Sequence, residues 1–319
     1  MEKYPRTGFG AKETRDWLLG APEPHIRYQA QLLLEPKQAD RGLLDADPFI
    51  VARLETLRDW KSQVLERHDK VDLFIHTLAM LADLGVDSST KGAGKIVEGL
   101  LDNIAADGSF PILISIPKAF GGTGEAEKHW LICDFPVIVY ALLKMVPGDG
   151  RLASAVEKLK ALAGEEFYPC CGSIPKFKGP GPRGGMCPYA NLLAARALTA
   201  SPKARSSKAA MTAAKAILWH WEHRKEKKPF LFAMGKDFPK TKFPLVWYNI
   251  LHVVTALKGI KGVAEDPRFL EIRSILESKL DSEGRVIPES IYMAYKAEEW
   301  SNKKASSRLM TIMVHRALA

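Results

Sequence analysis

The chain has 319 residues, 46% hydrophobic and 26% charged, with 46 Lys+Arg against 37 Asp+Glu for a net charge of +9. That mix excludes a disordered or fibrous protein and supports a large core. Four cysteines are too few for a disulfide scaffold, and no apolar run approaches the ~18 residues of a membrane span. The N-terminal stretch MEKYPRTGFGAKETRDW has no apolar core of a secretion signal, so a cytoplasmic protein with reduced thiols is expected.

In chain order, residues 1–20 read as a tail or packing arm, and 21–319 as one domain. EPHIRYQAQLLL (23–34) and DPFIVARLETLRDW (47–60) form a first helical pair. VDLFIHTLAMLADLG (71–85) is a buried helix stopped by Gly85, followed by the more amphipathic TKGAGKIVEGLLDNIA (90–105) and the glycine loop ADGSF. HWLICDFPVIVYALLKM (129–145) and GRLASAVEKLKALAG (150–164) repeat the scheme. So do PYANLLAARALTA (188–200) with SSKAAMTAAKAILWHWEHR (206–224), and FPLVWYNILHVVTALKG (243–259) with DPRFLEIRSILESKL (266–280). ASSRLMTIMVHRALA (305–319) ends the series. In the last full pair, Asp266 is a good N-cap and Pro267 suits the first helical position.

The apolar helices start near 71, 129, 188, 243 and 305, so the gaps are 58, 59, 55 and 62 residues. A near-constant period of this kind marks a repeat architecture. The first helix of each pair is apolar nearly all round, so it needs burial on every side. An open solenoid does not provide that. The expectation is an all-α protein: an α/α toroid of about six helical hairpins, with apolar inner and amphipathic outer helices.

This pattern resembles the terpenoid cyclase and protein prenyltransferase toroids, including squalene-cyclase-type repeats. The resemblance rests on ADGSF, DSEGRV, GGMCPYANLLAARAL, KFPLVWYNILHVVTAL and SSRLMTIMVHRAL, and covers about residues 65–319. It implies a central cavity for a hydrophobic, isoprenoid-like or anionic-headed ligand, and raises transferase or lyase chemistry. The family's Asp-x-Asp-Asp acid, its Asp-rich diphosphate helix and its Asp-x-Cys zinc pair are all absent, so its chemistry is not carried over residue by residue. The alternative is a basic helical-repeat module binding nucleic acid or a protein partner. A third reading is a scaffold with a side-chain-filled centre.

In such a ring the inner-helix N-termini converge, and their dipoles favour an anion at that mouth. Candidate catalytic residues there are Asp134, Cys187 and His252. Candidate ligand-binding residues are Trp130, Tyr189, Asn191, Trp247, Tyr248 and Arg308. No cofactor is identifiable and no metal ligand is assigned. Cys170 and Cys171 are adjacent, and the spacing offers neither CxxC nor HxxxH. His129 and Cys133, at i and i+4, would share a helix face and pair with Cys171 or Cys187 if a metal bound. Cys187 at a helix N-terminus also suits a nucleophile. The expectation is nevertheless reduced, wall-building cysteines. The loop KFKGPGPRGG (176–185) reads as a lid, an anion contact or a plain turn.

Overall fold

A computed structural model of the chain describes residues 12–66, 68, 70–179, 185–226 and 232–319. They are predominantly helical. The first stretch holds α1 (Lys12–Leu19), α2 (Pro24–Leu34), α3 (Gly42–Asp45) and α4 (Pro48–Thr56). Then come α5 (Phe74–Asp83), α6 (Gly94–Leu101), α7 (Phe135–Met145), α8 (Leu152–Ala161), α9 (Pro188–Ala200) and α10 (Lys208–Glu222). The chain closes with α11 (Ile250–Leu257), α12 (Pro267–Glu277) and α13 (Arg308–Leu318). A single antiparallel hairpin, β1 (Ile112–Ser115) with β2 (Ala126–His129), is the one named sheet among the described residues. No described helix is long and apolar enough to cross a membrane.

Local chemistry sets these boundaries. Asp47 and Asp266 accept hydrogen bonds from first-turn amides and precede Pro48 and Pro267. Ser207, Asn249 and Ser307 cap α10, α11 and α13 in the same way. Two expected inner helices start later than their apolar patterns suggest. α7 begins at Phe135 because Pro136 cannot donate to an upstream carbonyl, and residues 126–129 pair with Ile112–Ser115 instead. The i, i+4 relation between His129 and Cys133 therefore fails: His129 sits on a strand and contacts Ser173 Oγ at 3.0 Å. Pro244 likewise holds 243–249 out of the helix, and α11 starts after its Asn249 cap.

α5, α7 and α9 are buried along their whole length or nearly so, as are α11 and α13. They pack in succession, α5 on α7, α7 on α9, α9 on α11 and α11 on α13, and α13 packs on α2. Gln29 on α2 then reaches both neighbours: its Nε2 donates to Leu84 O at 2.6 Å, and its Oε1 accepts from Arg316. The second helices of the pairs bury one face only; on α10, Trp221 is buried while Trp219 is exposed. Within the span read as a tail, α1 packs on α2 and α13, and Thr14 Oγ1 donates to Glu283 O at 2.9 Å; residues 1–11 lie outside the described residues.

Gly85, at the end of α5, has φ +81°, and a Cβ there would lie 2.8 Å from Tyr28 Cε1 and 3.0 Å from Gln29 Nε2. Gly85→Ala is expected to destabilise the fold by about 1–3 kcal/mol. Gly99 in α6, with open space around it, gives a control: Gly99→Ala should stabilise by about 0.4–1 kcal/mol, both read by urea unfolding. Burial also holds the His220 imidazole neutral, with its pKa lowered to about 4. The unfolded chain takes up that proton near pH 6.5 and the folded chain only near 4, so this contribution to stability falls as pH drops from about 6.5 to 4. Across that window His220→Gln should show a shallower acid dependence of the urea midpoint than the parent.

Candidate functional site

Backbone pairing outside the helices draws three segments together ahead of α5, α7 and α9. Leu65 pairs with the β1 strand, donating to Leu113 O and accepting from Ser115 N, both at 2.9 Å. Ile132 N donates to Cys171 O, and Ser173 N to Trp130 O, each at 3.0 Å. Pro169 bridges to Met186. Gly172 permits the second pairing, since a Cβ there would lie 2.4 Å from Leu131 Cδ2 and 2.7 Å from Trp130 O. Three stretches distant in sequence thus deliver His68, Cys133 with Asp134, and Cys170, Cys171 and Cys187 to one end of the inner helices.

Within this region one ligand atom each from His68, Cys133 and Asp134 lies within 4.8 Å of the others. His68 stands between its partners: Nδ1 is 2.6 Å from Asp134 Oδ1, and Nε2 is 3.4 Å from Cys133 Sγ. The Asp134 contact is a charge pair rather than an aligned hydrogen bond, and both carboxylate oxygens and His68 Nδ1 find no hydrogen-bond partner. Asp134 is 1% exposed. It occupies the N-cap position of α7, where aspartate normally accepts first-turn amides, yet its side chain caps nothing. The Tyr189 hydroxyl, which feels the charges of Cys133 and Asp134, is buried and unpartnered as well.

Electrostatics reinforce the grouping. Burial pushes the His68 imidazole down, but the charges of Asp134 and Cys133 more than reverse this and hold it well above its usual value. Burial raises the Cys133 thiol. Cys187 moves the other way, downward, because Cys170 hydrogen-bonds to it and the α9 amides of Ala190 and Tyr189 point at its sulfur. Its Sγ accepts from Ala190 N at 3.4 Å. All four cysteines are free.

The other residues singled out from sequence divide among several places. Tyr189 stacks on Phe232 at 4.9 Å, and Trp247 lies 4.9 Å from the same ring, so these aromatics form a wall beside the cluster. Trp130 packs on Phe135, with Lys158 over its face. Asn191 is a clamp: Oδ1 accepts from Tyr168 N at 2.9 Å, while Nδ2 donates to Tyr168 O at 3.1 Å and Cys187 O at 2.8 Å. Tyr248 turns to His220 on α10, its hydroxyl 3.2 Å from Nδ1. His252 is deep in the core, its Nδ1 3.1 Å from Trp247 O and its Nε2 3.4 Å from Arg196 Nη1, and burial beside that cation depresses its pKa well below 6.5. Arg308 stacks on Trp17 and donates to its carbonyl at 2.9 Å, against α1. Of the loop 176–185, residues 180–184 lie outside the described residues.

Sequence spacing did not identify His68 as the partner of Cys133. The available signal was its place just ahead of the first fully apolar helix, matching Asp134 ahead of the second and Cys187 ahead of the third. The sequence matches no protein-family model and no curated protein.

Removing the Asn191 clamp should act on stability. Asn191→Ala leaves Tyr168 N and O without their partner, while Cys187 O keeps the residue-191 amide, and is expected to cost about 2–4 kcal/mol in urea unfolding.

Proposed function

We propose that the inner helices close into an α/α toroid and that the protein is a metalloprotein, its centre held at the ring's N-terminal mouth by His68, Cys133 and Asp134. The observation that carries this reading is Asp134. A buried carboxylate that caps nothing and has the His68 imidazole as its one charged partner, in a contact too poorly aligned for a hydrogen bond, is left under-satisfied, and a coordinated cation removes that cost. Imidazole nitrogen, thiolate sulfur and carboxylate oxygen are donors that zinc accepts. This departs from the expectation that no metal ligand is present. The succession of packed inner helices, with Gln29 linking α2 to both α5 and α13, supports ring closure.

Three protein ligands leave a fourth position for water or a substrate atom, the pattern of reactive rather than structural zinc. When bound, such an ion supplies Lewis acidity. The chain's own residues do the rest. Asp134 balances the charge, and Cys187 stands near with a thiol lowered by its Cys170 hydrogen bond and the α9 amides. Tyr189, Phe232 and Trp247 offer an apolar wall to the hydrophobic part of a ligand. A nucleic-acid module would spread its bases over an outer face; here Lys144, Arg196, Lys258 and Arg316 gather around one pocket among the inner helices, which supports a small ligand.

A second reading has one specific observation behind it. Cys133 Sγ, His68 Nε2, His68 Nδ1 and Asp134 Oδ1 follow one another as nucleophile, base and orienting acid do in a thiol hydrolase.

Elemental analysis of protein purified without added metal separates the two. About one equivalent of zinc per chain is expected, together with a thiolate-to-cobalt absorption band after Co²⁺ replacement. Both should be lost in Cys133→Ala and Asp134→Ala and kept in Cys171→Ala. A chain that takes up neither Zn²⁺ nor Co²⁺, while Cys133 is the fastest thiol to alkylate, would overturn the metal centre in favour of the thiol triad.

A further inference from the structure

The opposite ends of the inner helices make a second, different site. The last turns of α5, α7, α9, α11 and α13 converge on a pocket of about 270 Å³. Its charged lining is Asp83, Lys144, Arg196, Lys258 and Arg316, four cations against one carboxylate. That carboxylate is already committed. Asp83 accepts from Arg196 Nη2 and from the Tyr140 hydroxyl, and the Arg196 guanidinium lies 4.0 Å over the Tyr140 ring. Three cations remain with no acid of their own.

Their partners are neutral or missing. Lys258 Nζ donates to Arg316 O, and Arg316 Nη1 to Gln29 Oε1. The Lys144 side chain makes no hydrogen bond or ion pair with any described residue. It is exposed and stands on the lining of the pocket. Burial, then the neighbouring charges of Arg316, Lys144 and Arg273, lower Lys258 to about 8, and burial and Arg316 lower Lys144 too.

Helix dipoles explain part of this, because cations favour helix C-termini and Lys258 does meet a terminal carbonyl. Lys144 also lies in the last turn of its helix, but dipoles alone do not explain why basic side chains at the ends of four different helices line one pocket that holds a single carboxylate. Like charges held together inside a fold are unfavourable until an anion arrives.

We propose that this pocket binds a small, multiply charged anion of the phosphate or diphosphate class, through Lys144, Lys258 and Arg316. The volume equals that of ~9 waters at ~30 Å³ each, room for a phosphate-ester head group or inorganic diphosphate but not for a long isoprenoid tail. Leu245 and Met313 supply apolar wall. The anion expected at the N-terminal mouth from helix dipoles is thus assigned to the other mouth, on side-chain charge. The inference stands on its own residues and does not depend on the metal centre.

Titration calorimetry with inorganic diphosphate, at constant ionic strength, tests it. Saturable binding of one diphosphate per chain is expected, with orthophosphate weaker and chloride without effect. Lys144→Ala and Lys258→Met should each bind about 10–100-fold more weakly, the loss of one charge-assisted contact. Lys144→Ala, which removes no side-chain hydrogen bond, should unfold at about the parent's urea concentration, so its weaker binding cannot be ascribed to unfolding; Lys258→Met also removes the donor to Arg316 O and is compared at matched folded fraction. Because diphosphate also chelates metals, the titration is repeated on Cys133→Ala, where affinity should be unchanged. No saturable binding, parent-like affinity in Lys144→Ala, or binding lost in Cys133→Ala would each overturn the proposal.

Discussion

The interior is organised around one buried charge pair. Arg196 on α9 reaches Asp83 at the end of α5, and also donates to Leu245 O ahead of α11 at 2.8 Å. Tyr140 on α7 donates to the same carboxylate. Four consecutive inner helices are therefore referred to one ion pair, whose members are 3% and 8% exposed. Burying two charges is expensive, and the hydrogen bonds from Tyr140 and to Leu245 O offset part of that cost, with Arg196 Nε left unpartnered. Apolar packing alone lets helices slide and rotate against each other. A fixed guanidinium with three directed partners does not, so the node sets the register in which both ends of the bundle are assembled.

From that register two chemically distinct ends follow. Soft and acidic donors gather ahead of the helices, where irregular backbone can bring three separate segments side by side. Basic side chains gather behind them, where the last turns face inward. The region between is filled by side chains, among them the His252 imidazole held neutral beside Arg196. A larger recess of about 690 Å³, bordered by Phe167, Met186, Met211 and Trp219, lies at the outer helix α10 rather than among the inner helices. The space among these packed helices is consequently a core with small polar ends.

Much of the helical scaffold was readable from sequence because its signals are local. Runs such as FIHTLAMLAD and NLLAARAL bury every residue, and capping residues with following prolines mark helix starts. Where the reading slipped, a proline was the cause: Pro136 and Pro244 sit inside apolar patterns that continue upstream of the true helices. The candidate site was legible only in outline. Asp134 and Cys187 stand out as polar residues ahead of apolar helices, but the link from His68 to Cys133 runs through the Leu65–β1 pairing, which no spacing reveals. The basic pocket was missed for a related reason. Lys144, Lys258 and Arg316 look like ordinary helix-ending cations one at a time, and become a site only when the five helices are set side by side.

The link between α2 and α13 bears on how the chain is made. Arg316 and Gln29 are separated by 287 residues, and α13 packs on α1, α2, α11 and α12. Hairpins formed early in synthesis can pair with their immediate successors, since those contacts are local. The apolar flank of α2 has to wait for α13, which is synthesised far later in the chain. Until residues 308–318 arrive, α2 and α11 each keep an uncovered face, the kind of surface that invites aggregation of unfinished chains. For this architecture the long-range docking of α13 onto α1 and α2 carries the largest loop-closure cost of the contacts between its helices.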